Sequence, residues 1–112
     1  MKNSIKKSRE FKEIYQNDKS FATKNLVMYI LKKGDMERNR LGISVSRKIG
    51  NSVVRHKIIR RIREIFRETE EKLEKPFDLV LLCRAGSRYL EFSKLREEFF
   101  YLCKKHDILK ED

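Results

Sequence analysis

The chain has 112 residues, with 28 Lys and Arg against 17 Asp and Glu and a formal net charge of +11. That length sets a single domain over 1–112, which buries about two-thirds of its unfolded surface, and excludes a second catalytic domain. Leu, Ile, Val and Phe make up 33 residues, about 29% of the chain, above the roughly 20% below which a highly charged chain stays disordered.

An excess of cations on this scale calls for a polyanionic partner, because each neutralised phosphate releases condensed counterions. The longest apolar run, Leu26 to Leu31, is far short of the ~20 residues that span a bilayer. The N-terminus MKNSIKKSREF has no apolar core of the kind a secretory signal carries. The expectation is a soluble cytoplasmic protein with no membrane partner. Cys83 and Cys103 stand alone, without a CxxC pair or clustered His, which argues against a zinc site and a disulfide framework and for two buried small hydrophobes in a reducing cytosol.

In chain order, Ser8 can cap a short helix running to Tyr15 or Gln16, with Phe11, Ile14 and Tyr15 as its apolar stripe. A break follows at Asn17-Asp18. Leu26–Leu31 and Leu41–Ser46 predict two strands separated by the turn signal Lys33-Gly34-Asp35, suggesting an antiparallel hairpin. In the second strand Leu41, Ile43 and Val45 alternate with Gly42, Ser44 and Ser46, so one face is apolar and the other small and polar. That small face leaves room for something to lie on it.

The longest periodic segment runs from about Ser52 to Leu73, after a helix-start signal at Gly50-Asn51 and before a stop at Pro76. Val54, Ile58, Ile62, Ile65, Phe66 and Leu73 fall in one stripe at 100° per residue, the pattern of a helix lying on a core. Phe77–Cys83 is almost continuously apolar, as in a strand covered on both faces, and Phe92–Lys104 predicts a last helix through Leu95, Phe99 and Leu102. The strand near 43, the long helix and the strand near 80 form a βαβ unit, so those two strands run parallel in an otherwise antiparallel sheet. The fold class is α+β. General rules favour a right-handed crossover in about 98% of such units.

Between Arg47 and Arg67 lie eight Lys or Arg and one acid, Glu64, so this 21-residue window carries +7 of the total. His56, Arg60, Arg63 and Arg67 form one stripe opposite the apolar one. A solvated helix face normally interleaves Glu with Lys, as Glu68 to Lys75 does. The imbalance of sign in the window, with Arg predominant, favours nucleic acid, since a guanidinium forks onto phosphate oxygens and stacks on bases. A membrane-surface helix needs a free apolar face, and this one is committed to the core. Phe11, Tyr15 and Tyr29 fit either a core or a set of base-stacking platforms, and the pattern leaves both open.

The run Arg40-Leu-Gly-Ile-Ser-Val-Ser-Arg-Lys-Ile-Gly-Asn-Ser-Val-Val-Arg55-His-Lys-Ile-Ile-Arg60-Arg-Ile-Arg63-Glu closely resembles the signature of the bacterial ribonuclease P protein subunit. That signature is a glycine-containing strand followed by K-K-x-G-N-A-V-x-R-N-x-x-K-R-x-x-R-E. The resemblance covers nearly the whole chain: Glu10 to Tyr15 is similar to the family's D-F-x-x-V-F element, and Asp78 to Arg84 to its D-x-V-x-x-A-R strand. It implies a two-layer α+β sandwich of a mixed, mostly antiparallel sheet with helices, in the order α-β-β-β-α-β-α. This fold is similar to the second domain of a small-subunit ribosomal protein, with a left-handed βαβ crossover against the general rule.

The implied function is that of the non-catalytic protein subunit of an endoribonuclease. It binds ribonuclease P RNA and the 5′ leader of precursor tRNA while the RNA, with Mg²⁺, removes the leader; no cofactor or metal is held by the protein itself, and no obligatory protein partner is implied. Carried over by position, Arg47, Lys48, Arg55, Lys57, Arg60, Arg61, Arg63 and Arg67 would contact the catalytic RNA. Phe11, Tyr15, Tyr29, Ser44, Ser46, Arg55 and His56 would line the leader cleft, with Gly42 and Ser46 keeping it shallow and open. Three positions depart from the signature. His56 replaces Asn and can still donate a hydrogen bond, Lys57 replaces Arg and loses the fork, and Ile59 replaces Lys and removes a cation for which Arg61 is a partial substitute.

A nuclease with its own active site would need clustered carboxylates for Mg²⁺ or a His acid/base pair. Glu68, Glu70, Glu71 and Glu74 instead suit solubility and helix pairing, and His56 and His106 lie in basic, polar stretches. A ribosomal or RNA-chaperone protein is the alternative that composition also permits; the motif separates the two.

Overall fold

The alternating strand Leu41–Ser46 and the unbroken apolar run Phe77–Cys83 become parallel neighbours in a four-stranded sheet. The structure, a computed structural model, describes residues 4–5, 8–16, 19–32, 39–74 and 77–110. Its elements are α1 (Ser8–Tyr15), β1 (Ser20–Ala22), β2 (Leu26–Lys32), β3 (Arg40–Val45), α2 (Ser52–Thr69), β4 (Phe77–Cys83) and α3 (Phe92–Lys105), with single 3₁₀ turns at Glu70–Lys72 and Ala85–Tyr89. This is the α-β-β-β-α-β-α order implied by the resemblance. The turn signals at Asn17-Asp18, Lys33-Gly34-Asp35 and Pro76 lie outside the described residues.

The sheet order is β1-β2-β4-β3. β4 pairs antiparallel with β2 from Leu26↔Cys83 to Lys32↔Phe77 and parallel with β3 from Arg40↔Asp78 to Val45↔Cys83. The parallel pairing is as expected, but the predicted β2–β3 hairpin does not form, because β4 lies between the two strands. The reason is burial. A strand apolar on both faces is most stable at the sheet centre, with a neighbour on each side, whereas β3, with its Gly/Ser face, tolerates the edge. β1, only three exposed residues long, closes the other edge.

Successive residues of β4 alternate between two cores. Leu79 and Leu81 join the main core with Leu26, Met28, Leu41, Ile58, Ile62, Ile65, Phe66, Leu95 and Phe99, under α2 and α3. Val80 points the other way, into a smaller cluster with Ile5 and Ile14 of the N-terminal segment and α1. The expected sandwich is therefore the sheet with α2 and α3, and α1 covers part of the opposite face. α2 ends at Thr69, before the predicted Leu73, where the Thr69 hydroxyl donates back to the carbonyls of Ile65 and Phe66. One 3₁₀ turn later Leu73 is still fully buried, bridging to Leu109. Cys83 and Cys103 are buried free thiols, and burial pushes each up to about 12, which leaves them protonated and inert. No described helix is long and apolar enough to cross a membrane.

On the α1 side, Asp78 has a side chain with no solvent exposure. Arg40, beside it in the β3–β4 register, donates from Nε to Oδ1 and from Nη2 to Oδ2, both at 2.8 Å, and its Nη1 reaches Glu10 of α1 at 2.5 Å. Removing the cation from a buried carboxylate is far more damaging than removing an exposed pair. Arg40→Met should therefore destabilise the fold by about 3 kcal/mol in urea unfolding; a loss like that of an exposed ion pair would show that Asp78 does not depend on this clamp.

Candidate nucleic-acid interface

α2 is started by Asn51, whose extended backbone (φ −71°, ψ 178°) lets its Oδ1 accept from the Val54 amide at 3.0 Å. With Ile58, Ile62, Ile65 and Phe66 turned into the core, the 100° step leaves His56, Arg60, Arg63 and Arg67 on the outer face, all exposed. Together with Ile59 and Glu64 these four line a shallow depression of about 410 Å³. Lys57 is exposed on one flank. The cation lost at position 59 thus leaves an apolar floor between arginines.

Arg61 does not join that face. It is half-buried, and its Nη1 donates to the Leu90 carbonyl at 3.0 Å, tying α2 to the start of α3. Glu68 on the same flank pairs with Arg96 of α3 at 3.0 Å. Since α3 packs along this flank, Arg55 and Ile59 lie on the other, toward the β3 edge. Arg55 is half-buried there, and its buried Nε has no hydrogen-bond partner among the described residues. Arg47 and Lys48 are exposed in the turn that joins β3 to α2. Ser46 builds that turn, its Oγ accepting from the Lys48 amide at 3.1 Å and its carbonyl from the Ile49 amide at 3.0 Å, while Ile49 anchors it in the core.

The aromatic residues meet on the opposite face of the sheet. Tyr15 packs edge-on against Tyr29 with ring centroids 4.8 Å apart, and Phe11 lies 6.3 Å from Tyr15. Ser8, Phe11, Lys12, Tyr15, Ile43 and Ser44 line a groove of about 370 Å³, with Tyr29 supporting Tyr15 from the sheet. Burial raises the Tyr15 hydroxyl's pKa and a hydrogen bond with Ser44 opposes the shift, so the ring stays a neutral phenol. Tyr15 keeps 36% of its surface exposed.

Of the residues expected in one cleft, the structure therefore groups Phe11, Tyr15, Tyr29 and Ser44. His56 belongs to the basic stripe, Arg55 to the β3 edge, and Ser46 is a turn-former absent from the groove lining. Gly42 does not hold the groove open: a Cβ there would stand 2.9 Å from Phe11 Cζ and 3.2 Å from Ile5 Cβ, so the ring of Phe11 already occupies that space. Ser8, read from the sequence only as a helix cap, and Lys12 also line the groove. The available signal was their spacing, since Ser8 and Lys12, like Phe11 and Tyr15, stand one helical turn apart along α1. No group of three or more His, Cys, Asp or Glu that could hold a metal ion occurs among the described residues.

The chain as a whole is similar to proteins of one family. The sequence profile of the Ribonuclease P family matches residues 1–107. A ribonuclease P protein component of Lachnoclostridium phytofermentans is 46% identical over 109 residues, covering 97% of this chain and 93% of that one. The solved RNase P protein of Staphylococcus aureus superposes with a TM-score of 0.89 at 30% identity, covering 96% and 98% of the two chains. That of Thermotoga maritima gives 0.82 at 33% identity, covering 91% and 96%.

The two kinds of arginine on α2 should separate in thermal and urea unfolding. Arg61→Ala removes a hydrogen bond from a charged donor to a half-buried carbonyl and should cost about 1.5 kcal/mol. Arg63→Ala, exposed, should leave stability within about 0.5 kcal/mol of the parent.

Proposed function

The chain belongs to the ribonuclease P protein family, the RNA-binding protein component of the endoribonuclease that processes tRNA 5′ ends, and on that premise we propose which surface does what. The basic face of α2, with Arg47 and Lys48, docks on ribonuclease P RNA. The groove of Phe11, Tyr15, Tyr29 and Ser44 receives the 5′ leader of precursor tRNA. The observation that carries this reading is that a basic face and an aromatic groove lie on opposite sides of one sheet and are joined by β3, which lines the groove with Ser44 and leads through the Arg47-Lys48 turn into α2. A ribosomal or chaperone role is not favoured by a family match over nearly the whole chain.

The two surfaces suit different forms of RNA. From His56 to Arg67 the α2 stripe runs about 16 Å at 1.5 Å per residue, enough to follow several phosphates of one strand. Arg60, Arg63 and Arg67 can each fork onto phosphate oxygens, releasing counterions and holding a structured RNA without reading its sequence. In the groove, the exposed part of Tyr15 offers a π-face to an unpaired base, Ser44 a hydroxyl, and Lys12 a cation for the phosphate that follows. The protein's work is to bind and orient, holding the leader while the RNA grips the rest of the substrate. Mg²⁺ held by the RNA would supply activation of the attacking water.

The purified protein should leave precursor tRNA intact alone and restore 5′ cleavage when added to bacterial ribonuclease P RNA at low Mg²⁺; absence of stimulation would refute the reading. Arg60→Ala and Arg63→Ala should each weaken binding to that RNA and lower the salt slope by about 0.7 to 1. Tyr15→Ala should spare this assembly and weaken leader-bearing substrate by roughly 5- to 100-fold. An equal loss for mature tRNA would contradict the assignment of the groove.

A further inference from the structure

The most exposed large hydrophobic side chain among the described residues is Tyr89, at 81%, and it lies outside both surfaces above. It ends the 3₁₀ turn Ala85–Tyr89, which is held tightly. The Ser87 hydroxyl donates to the Arg84 carbonyl at 2.7 Å and the Ser87 amide to the same carbonyl at 3.0 Å. At Gly86 the backbone comes so close to Asn25 that a Cβ would stand 2.0 Å from its Oδ1. Leu90, the next residue, packs against the main core on the α2 side, so Tyr89 is separated by the sheet from the groove of Phe11 and Tyr15.

Two contacts connect this turn to α2 and to the turn that precedes it. Arg61 of α2 donates to Leu90, and Arg88 Nη1 donates at 3.4 Å to the carbonyl of Ile49, in the turn that carries Arg47 and Lys48. Arg88 also lies over the Tyr89 ring, its guanidinium carbon 5.4 Å from the centroid. One face of the ring is thus backed by a cation and the ring itself stands in solvent. Arg84 is exposed at the other end of the turn, and the acid nearest in sequence is the exposed Glu91. An aromatic held on a fixed turn loses little conformational freedom when something stacks on it, and a cationic surround selects an anionic partner over a neutral one.

We propose that Tyr89, backed by Arg88, is a stacking platform for an unpaired base of the RNA docked on α2. The proposal rests on that docking and extends the contact area around the N-terminal end of α2. A base held in a duplex cannot stack there, so the platform selects a bulged or looped nucleotide next to the phosphates gripped by the helix.

The chain contains no Trp, so Tyr89→Trp introduces a single indole whose fluorescence should be quenched by transcribed bacterial ribonuclease P RNA. Tyr89→Ala should melt like the parent and bind this RNA roughly 5- to 100-fold more weakly with an unchanged salt slope, because no charge is lost. Tyr89→Phe should bind as the parent does. Arg63→Ala serves as the control for docking, with weaker binding and a flatter slope. If Arg63→Ala weakens binding while Tyr89→Ala stays within twofold of the parent, stacking is refuted and docking stands. If neither weakens it, both readings fall. A flatter slope for Tyr89→Ala, or an indole unquenched by saturating RNA, also overturns the stacking proposal.

Discussion

A carboxylate with no access to solvent, Asp78, sits on the central strand and is gripped in bidentate fashion by Arg40 of the neighbouring edge strand. Strand β3 needs such a pin. A one-residue slip would carry Leu41 and Ile43 out of the core and drive Gly42 and Ser44 into it. The pairing of Arg40 with Asp78 allows one register, and the third arm of the same arginine, to Glu10, draws α1 down over the face where the aromatic groove forms. The far end of β3 leads through the Ser46 turn to Asn51 and α2. Both the basic face and the aromatic groove therefore depend on the position of one strand, which burial of Leu41 and Ile43 and this ion pair fix together.

Positive charge on this chain has two uses, and burial divides them. Arg40, Arg61 and Arg96 lie partly within the fold and bind Asp78, the Leu90 carbonyl and Glu68, which ties β3 to β4 and α2 to α3. Arg60, Arg63 and Arg67 stand in solvent on the outward face of α2. The +7 carried by residues 47–67 is thus not all solvent-facing charge, since Arg61 is used within the fold. The acids follow the same logic: Glu98 receives the Thr23 hydroxyl, the Asn25 amide and the Asn25 side chain, fastening the β1–β2 turn to α3. These carboxylates have packing duties.

Much of this was readable from periodicity, because burial writes itself directly into the alternation of β3, the doubly apolar β4 and the stripe of α2. Which strand pairs with which was less readable. Alternation identifies faces but not neighbours, so β2 and β3 looked like a hairpin until β4, the strand most in need of cover, took the place between them. β1 is too short for a period to show. The side-chain roles that escaped are of one kind: Arg61 to a carbonyl 29 residues away, Ser46 to its own turn, and Phe11 into the space above Gly42. Each depends on a partner brought close only by the tertiary fold, and a helical wheel cannot distinguish an arginine facing solvent from one facing a distant carbonyl.

The choice between core and platform for the aromatic residues dissolves for the same reason. A base gains from stacking on a ring only if the ring is already held, since ordering a free side chain would consume the gain. Phe11 is held by the bare backbone of Gly42 and by Ile5, Tyr15 by the edge of Tyr29 and by Ser44. Ile14, between them in sequence, is the residue that fully commits to the core, with 1% exposed. One turn of helix thus sends its middle side chain into the protein and leaves its two flanking rings half-fixed at the surface. Being partly core is the condition a stacking platform has to meet, and Phe11 and Tyr15 meet it.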